Sequence, residues 1–261
     1  MIKAIMAMVL AALTVGCNSS GSTRDSTEGW KEGTGFMTRE VKVEGQERKY
    51  GLFVPKSWEK GKHYPAIIFL HGVLESGSDA KKNVGKGLGP FIAKQADTWP
   101  FVTIFPQSSG DWQGEDRARL VLATLDEAVK EYGVDPDRVI LTGLSNGGQG
   151  TWLIGSKYRD RFAGLVPMCA HSAYDAVPGL TRIPIWAFHN KMDMLVSPGG
   201  TREMAERIEK AGGKLKLTMY GGLHGDLNHN CWDQAYREDD FVPWMLRQRR
   251  SGVGKSDVIG R

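Results

Sequence analysis

Three stretches of this chain, "YPAIIFLHG", "FVTIFPQ" and "RVILTG", are apolar almost without interruption. A strand with one face in water alternates polar and apolar residues, so such runs fit strands buried on both faces. Stretches of helical period lie among them. "RARLVLATLDEAVKEY" sets Leu120, Val121, Leu125, Val129 and Tyr132 on one stripe. "FAGLVPMCA", "IPIWAFHN" and "KLKLTMYG" read as further strands, and "GQGTWLIGSKY", "GTREMAERIEKAG" and "DDFVPWMLRQR" as further helices. Arg39–Val43 and Arg48–Val54 precede them as an antiparallel pair turning at Gly45. Strand followed by helix, several times over, predicts an α/β fold with a mostly parallel sheet covered on both faces. No internal repeat or linker interrupts 38–247, which predicts one domain. At 261 residues and 41% hydrophobic, the chain can bury a core that needs no staples.

The two ends have a different character. "MIKAIMAMVLAALTVGC" carries one lysine, an apolar run and small residues, the layout of a secretory signal too short to span a bilayer. Its ending "TVGC" resembles a bacterial lipoprotein box, which implies acylation of Cys17; cleavage elsewhere as an ordinary signal is the alternative. Either reading expects an extracytoplasmic protein, with 1–17 removed or processed. Residues 18–37 are Ser/Gly/Thr-rich and suit a tether. Residues 248–261 read as a solvated tail, and a net charge of +4 is too mild to argue for nucleic acid. Contact with a membrane is expected only through a lipid. Cys169 and Cys231 remain, either bonded or as two buried thiols.

Chemistry in such a sheet belongs at the carboxyl ends of the strands. His71-Gly72 closes one strand, Ser145 follows another, Asp193 lies just past "IPIWAFHN", and His224 and His229 follow "LKLTMYG". A serine hydroxyl becomes a nucleophile when a base takes its proton, and that base needs an acid to fix its tautomer. "GLSNG" at 143–147 is a G-x-S-x-G turn between strand and helix, where small residues permit a sharp bend. A helix N-cap after a plain glycine turn is the bland alternative for Ser145.

These segments resemble the α/β-hydrolase esterases of the bacterial group that includes polyhydroxybutyrate-depolymerase-like and feruloyl-esterase-like proteins. "FLHGVLESGSD" is similar to that group's oxyanion segment, "GLSNGGQGTW" to its nucleophile elbow, "WAFHNKMDMLVSPGGTREM" to its acid loop and "GLHGDLNHNCWDQAY" to its histidine loop. Asn190 departs from the glycine usual there, and the histidine loop is longer than usual. The resemblance implies Ser145 as nucleophile, Asp193 as acid over Asp175 and Asp226, and His229 as base, with His224 the alternative. It implies an oxyanion hole from the backbone N–H groups of Asn146 and Val73. His71 is expected to be structural, and Glu75 to bond loop backbone or a nearby basic residue. His224, Asp226 and His229 match no zinc spacing, and neither metal nor organic cofactor is expected.

"HSAYDAVPGLTR" is too short for a substantial lid, which predicts an open cleft. Trp112 and Trp232 are placed to flank it and contact an aryl group or sugar ring, each with packing as the alternative. His171 and His189 are expected to line the pocket or to be structural. The resulting expectation is a serine esterase acting on acyl groups of carbohydrate or aryl substrates. A general carboxylesterase, a polyester depolymerase, a serine peptidase and a non-catalytic surface binding protein are the alternatives. The oligomeric state is left open.

Overall fold

A computed structural model describes residues 30–223 and 226–250. The signal segment with Cys17, most of the tether, His224 and residues 251–261 lie outside the described residues. The antiparallel pair is β1 (Gly35–Val43) and β2 (Gln46–Val54), turning at Glu44 and Gly45. Both strands start earlier than their apolar pattern suggests, because Gly35 pairs with Val54 and Val43 with Gln46. β1 therefore begins inside the segment read as tether, and the Trp30 ring already packs edge-on against Phe53.

There follow β3 (Tyr64–Leu70), α1 (Leu88–Ala93), β4 (Val102–Pro106), α2 (Glu115–Tyr132), β5 (Val134–Leu144) and α3 (Asn146–Lys157). The second half holds β6 (Gly164–Met168), α4 (Val177–Leu180), β7 (Ile185–Asn190), α5 (Pro198–Lys210), β8 (Leu215–Tyr220), α6 (Trp232–Ala235) and α7 (Phe241–Arg247). The strands form one 8-stranded sheet in the order β1-β2-β4-β3-β5-β6-β7-β8. β3 to β8 run parallel, and only β1 and β2 are antiparallel to their neighbours.

The continuous apolar runs have a direct cause. Successive residues of a strand point to opposite faces. Ile68 and Leu141 join the core layer containing Leu125 of α2, Trp152 of α3 and Met204 of α5. Ile67 and Ile140 join the opposite layer, with Ile92 of α1, Ala235 of α6 and Phe241 of α7. Every residue of β4, β6 and β7 is buried. The connection from β6 to β7 holds only the short α4 and a turn, so no large lid is inserted. Among the described residues no helix is long and apolar enough to cross a membrane.

Candidate active site

Because β3 and β5 to β8 are parallel, their carboxyl ends share one edge of the sheet. Ser145 stands at the sharpest point of that edge, with φ 56 and ψ −117 between β5 and α3. A left-handed conformation is costly for a residue with a Cβ, and here the surroundings impose it. Its N–H donates to Met168 O at 2.9 Å, tying the bend to β6. Gly143 and Gly147 make the bend possible by close approach. A Cβ on Gly147 would lie 2.0 Å from Leu70 O, and one on Gly143 2.4 Å from Gly147 O. Asn146 opens α3, where first-turn N–H groups have no partner within the helix.

The loop after β3 leans on this bend. A Cβ built on Gly72 would sit 3.7 Å from Ser145 Cβ, so the Val73–Glu75 turn begins beside the serine. His71 shapes that loop: its Nδ1 lies 2.7 Å from Gly72 O, and its Nε2 accepts from Ser108 N–H at 3.0 Å. Those partners define a neutral ring with the proton on Nδ1. Burial holds His71 below the ordinary imidazole value, outweighing the backbone bonds at Gly72 and Ser108.

Asp193 and His229 meet two strands away. His229 Nδ1 is 2.7 Å from Asp193 Oδ2, and both side chains are buried. Asp193 Oδ1 accepts from the N–H groups of Leu195 and Val196, each at 2.9 Å. His189 adds a partner that sequence reasoning left as a pocket-lining or structural residue: its Nε2 lies 3.1 Å from the same Oδ2. Its Nδ1 is 2.7 Å from Thr201 Oγ1, which orients the ring. Burial opposes the Asp193 charge, but the His189 and His229 rings and the two backbone N–H groups outweigh it. They hold the carboxyl far below the ordinary carboxylate range.

The histidine loop is held from several directions. Asp226, Leu227 and Asn228 have φ of 57, 54 and 58, a run of left-handed residues directly before His229. Met194 N–H donates to Leu227 O at 3.1 Å, and the Asn190 amide donates to Asn228 O at 2.6 Å. Behind the loop Cys231 is bonded to Cys169, with Cα atoms 6.4 Å apart. Cys169, Asp193 and His229 place ligand-type atoms within 4.8 Å of one another. The sulfur is committed to the disulfide and the ring nitrogen to the carboxylate, so the set does not suit a metal ion.

The rival acids stand elsewhere: Asp175 is exposed, and Asp226 is largely exposed and pairs with Lys86 at 3.4 Å. His171 is exposed near the pair, and desolvation of its ring, then the His229 imidazole, lowers its basicity. The two tryptophans correct the expectation of open aromatic platforms. Trp112 is 1% exposed, its indole N–H donating to His71 O at 2.9 Å and its side chain filling the space beside Gly150. Trp232 is 4% exposed and stands edge-on to His229 at 5.7 Å.

No family model matches the chain. A bifunctional acetylxylan esterase/xylanase from Neocallimastix patriciarum is 27% identical over 134 residues, 49% of this chain and 19% of that protein. Poly(3-hydroxyalkanoate) depolymerase C from Paucimonas lemoignei is 23% identical, over 75% of this chain and 55% of the relative. The match thus spans about a fifth of one relative and about half of the other. Among solved structures, a thermostable esterase superposes with a TM-score of 0.72 at 27% identity, over 82% of this chain and 63% of the other. A ferulic acid esterase superposes at 0.63 with 19% identity, over 81% and 98%, a likeness of fold alone. The chain has the α/β-hydrolase fold and is similar to ester-cleaving hydrolases that share it.

Proposed function

We propose that this protein is a serine esterase that hydrolyses carboxylic esters through an acyl-enzyme. One observation carries the reading: a buried Asp193–His229 pair of 2.7 Å shares the sheet edge with a serine held in a left-handed turn. Ser145 attacks the ester carbonyl while His229 takes its proton. The tetrahedral oxyanion is held by the N–H groups of Asn146 and Val73, each worth roughly 3 kcal/mol of barrier. Collapse expels the alcohol, which receives the proton from His229, and water activated by the same imidazole releases the acid. Asp193 keeps the Nδ1–H tautomer facing it and stays ionised.

The expectation of an acyl group on a saccharide or aryl alcohol is supported by the similarity to a bifunctional acetylxylan esterase/xylanase. Burial of Trp112 and Trp232 removes ring stacking as its recognition device. We take β1 through α7, Gly35 to Arg247, as the catalytic unit and a lipid-anchored or secreted extracytoplasmic protein as its setting. Intact mass of the exported protein tests the anchor: a diacyl or triacyl increment on Cys17 is expected, and an unmodified N-terminus elsewhere rejects it.

The activity test is direct. Short p-nitrophenyl esters should be hydrolysed, a fluorophosphonate should label Ser145, and Ser145→Ala should lower kcat/KM by at least about 100-fold while remaining folded. A folded wild type that neither turns over nor labels would leave a binding protein. Faster cleavage of peptide amides than of esters would make it a peptidase.

A further inference from the structure

A cleft opens beside Ser145 and His229, on the sheet face that carries α1 and α6. It encloses about 400 Å³, within the roughly 300–1,000 Å³ of small-ligand sites. Two of its lining residues connect it to the proposed nucleophile and base. A Cβ on Gly87 would lie 2.7 Å from Leu144 Cδ2, and Leu144 directly precedes Ser145. Trp232 stands edge-on to His229. Three cations line the same cleft: Lys86 before α1, Lys94 at its C-terminal end and Arg237 after α6. Asp233 is the one acid among its described lining residues, and its carboxylate accepts from the Asn230 amide at 2.9 Å. Lys86 Nζ lies 5.5 Å from the Trp232 ring centre and 3.4 Å from Asp226. Lys94 and Arg237 are exposed, and neither side chain has an ion-pair partner among the described residues.

We propose that this cleft is a subsite for the carboxylate of an acidic saccharide whose hydroxyl carries the ester. The inference rests on the esterase reading and names the alcohol of its substrate. His229 gives its proton to the departing alcohol, so the leaving group lies on the histidine side, and Trp232 joins that side to the cleft. Three cations against one acid in a concave site focus a positive potential there, although the whole chain carries only +4. Phe91 is partly buried and its ring lies 5.2 Å from that of Tyr236, an apolar wall that a naked anion does not need. With Trp112 and Trp232 buried, charge takes the place of ring stacking in holding the sugar.

The test uses full-length protein and two matched substrates. One is an oligogalacturonide, the other the same oligomer with its carboxyls reduced to neutral alcohols, and both are then acetylated to the same degree. Wild type should favour the acidic one in kcat/KM by at least about tenfold, since each exposed ion pair shifts affinity by up to about fivefold. Raising salt from about 0.02 M to about 0.3 M should erase most of that preference. Lys94→Gln with Arg237→Gln should lower the acidic-to-neutral ratio by at least about fivefold, with each single change giving part of the loss. Lys210→Gln, exposed at the end of α5, should leave the ratio as it is. Circular dichroism checks folding, and the single variants carry the test if the double one does not fold. A ratio near one in wild type, or an acidic preference that the double variant keeps, would overturn the subsite.

Calorimetry with the unacetylated oligogalacturonide, in the Ser145→Ala background, reads binding without turnover. Binding that the double variant loses, in a wild type inactive on both esters, would reject the esterase reading and keep the cleft. No binding in such an inactive wild type would overturn both. Inorganic phosphate that competes as well as the oligomer, mole for mole, would show a site for free anions and overturn the saccharide.

Discussion

Asp193 has three hydrogen-bond partners on two oxygens, Leu195 N, Val196 N and His229 Nδ1, and His189 Nε2, which is hydrogen-bonded to Val196 O at 3.1 Å, lies 3.1 Å from its Oδ2. The backbone donors fix the plane of the carboxylate, and His189 lies against the oxygen that faces His229. A group whose folded pKa is depressed stabilises the fold fully above its unfolded value and loses that contribution as pH falls through the folded one. For Asp193 the loss begins below about pH 4, the unfolded carboxyl range. His189→Leu removes one contact that favours the ionised carboxyl, so the stability lost on acidification should level off at a higher pH than in wild type in chemical denaturation. The same change should lower kcat on the order of tenfold with little change in KM, because Asp193 then orients His229 less well. His189→Gln retains an amide donor and should restore much of both. Levelling off at the same pH as wild type in His189→Leu would reduce His189 to packing. His71 obeys the same sign: burial depresses its pKa, so its contribution is lost as pH falls below about 6.5.

At the scale of the element, the loop after β8 is the most strained part of the site. Its three left-handed residues cost roughly 3–6 kcal/mol together by a per-residue penalty of about 1–2. Asn190 offsets part of this by donating to Asn228 O from the end of β7. Asn190→Gly, the residue usual in the group the sequence resembles, should reduce hydrogen-exchange protection at the His229 amide and lower kcat several-fold. Asn190→Asp should be worse, since a carboxylate would face the carbonyl. Equal protection and kcat in both variants would show that the amide does not hold the turn. The sheet was legible because strands buried on both faces spell themselves as unbroken apolar runs. Ser145 and Asp193 stood out as candidates because each lies just past such a run, whereas His229 follows the alternating, half-exposed β8 and was singled out by the resemblance of its loop. The contacts of His189 and Asn190 were not legible: His189 meets Asp193, Val196 and Thr201 only because the loop after β7 folds back on its own strand, and Asn190 meets Asn228, 38 residues on, where two loops pack together. Trp112 misled for a related reason: its polar neighbours in "SSGDWQGED" give no sign that the indole turns inward to His71 O.

Across the whole molecule, the Cys169–Cys231 bond joins the end of β6 to the residue before α6 and closes a loop with a sequence separation of 62. Closing a loop of that length removes enough unfolded-chain entropy to favour the folded state by about 4 kcal/mol in the chain-entropy description. For a protein of this size, that corresponds to a melting temperature lower by roughly 10 °C once the bond is reduced. The bond also acts locally. Cys231 lies two residues past His229, and Cys169 follows Met168, whose carbonyl holds the Ser145 N–H. One crosslink thus braces both sides of the proposed nucleophile–base geometry. Dithiothreitol, or Cys169→Ala with Cys231→Ala, should lower both the melting temperature and kcat, whereas iodoacetamide should find neither thiol before reduction. Export matters to the same bond, because a reducing cytosol would keep the pair as thiols. Protein made without residues 1–17 in such a cytosol should match the reduced form and rise to the oxidised melting temperature after air oxidation. Identical melting in all three preparations would mean that the crosslink braces nothing the core does not already hold.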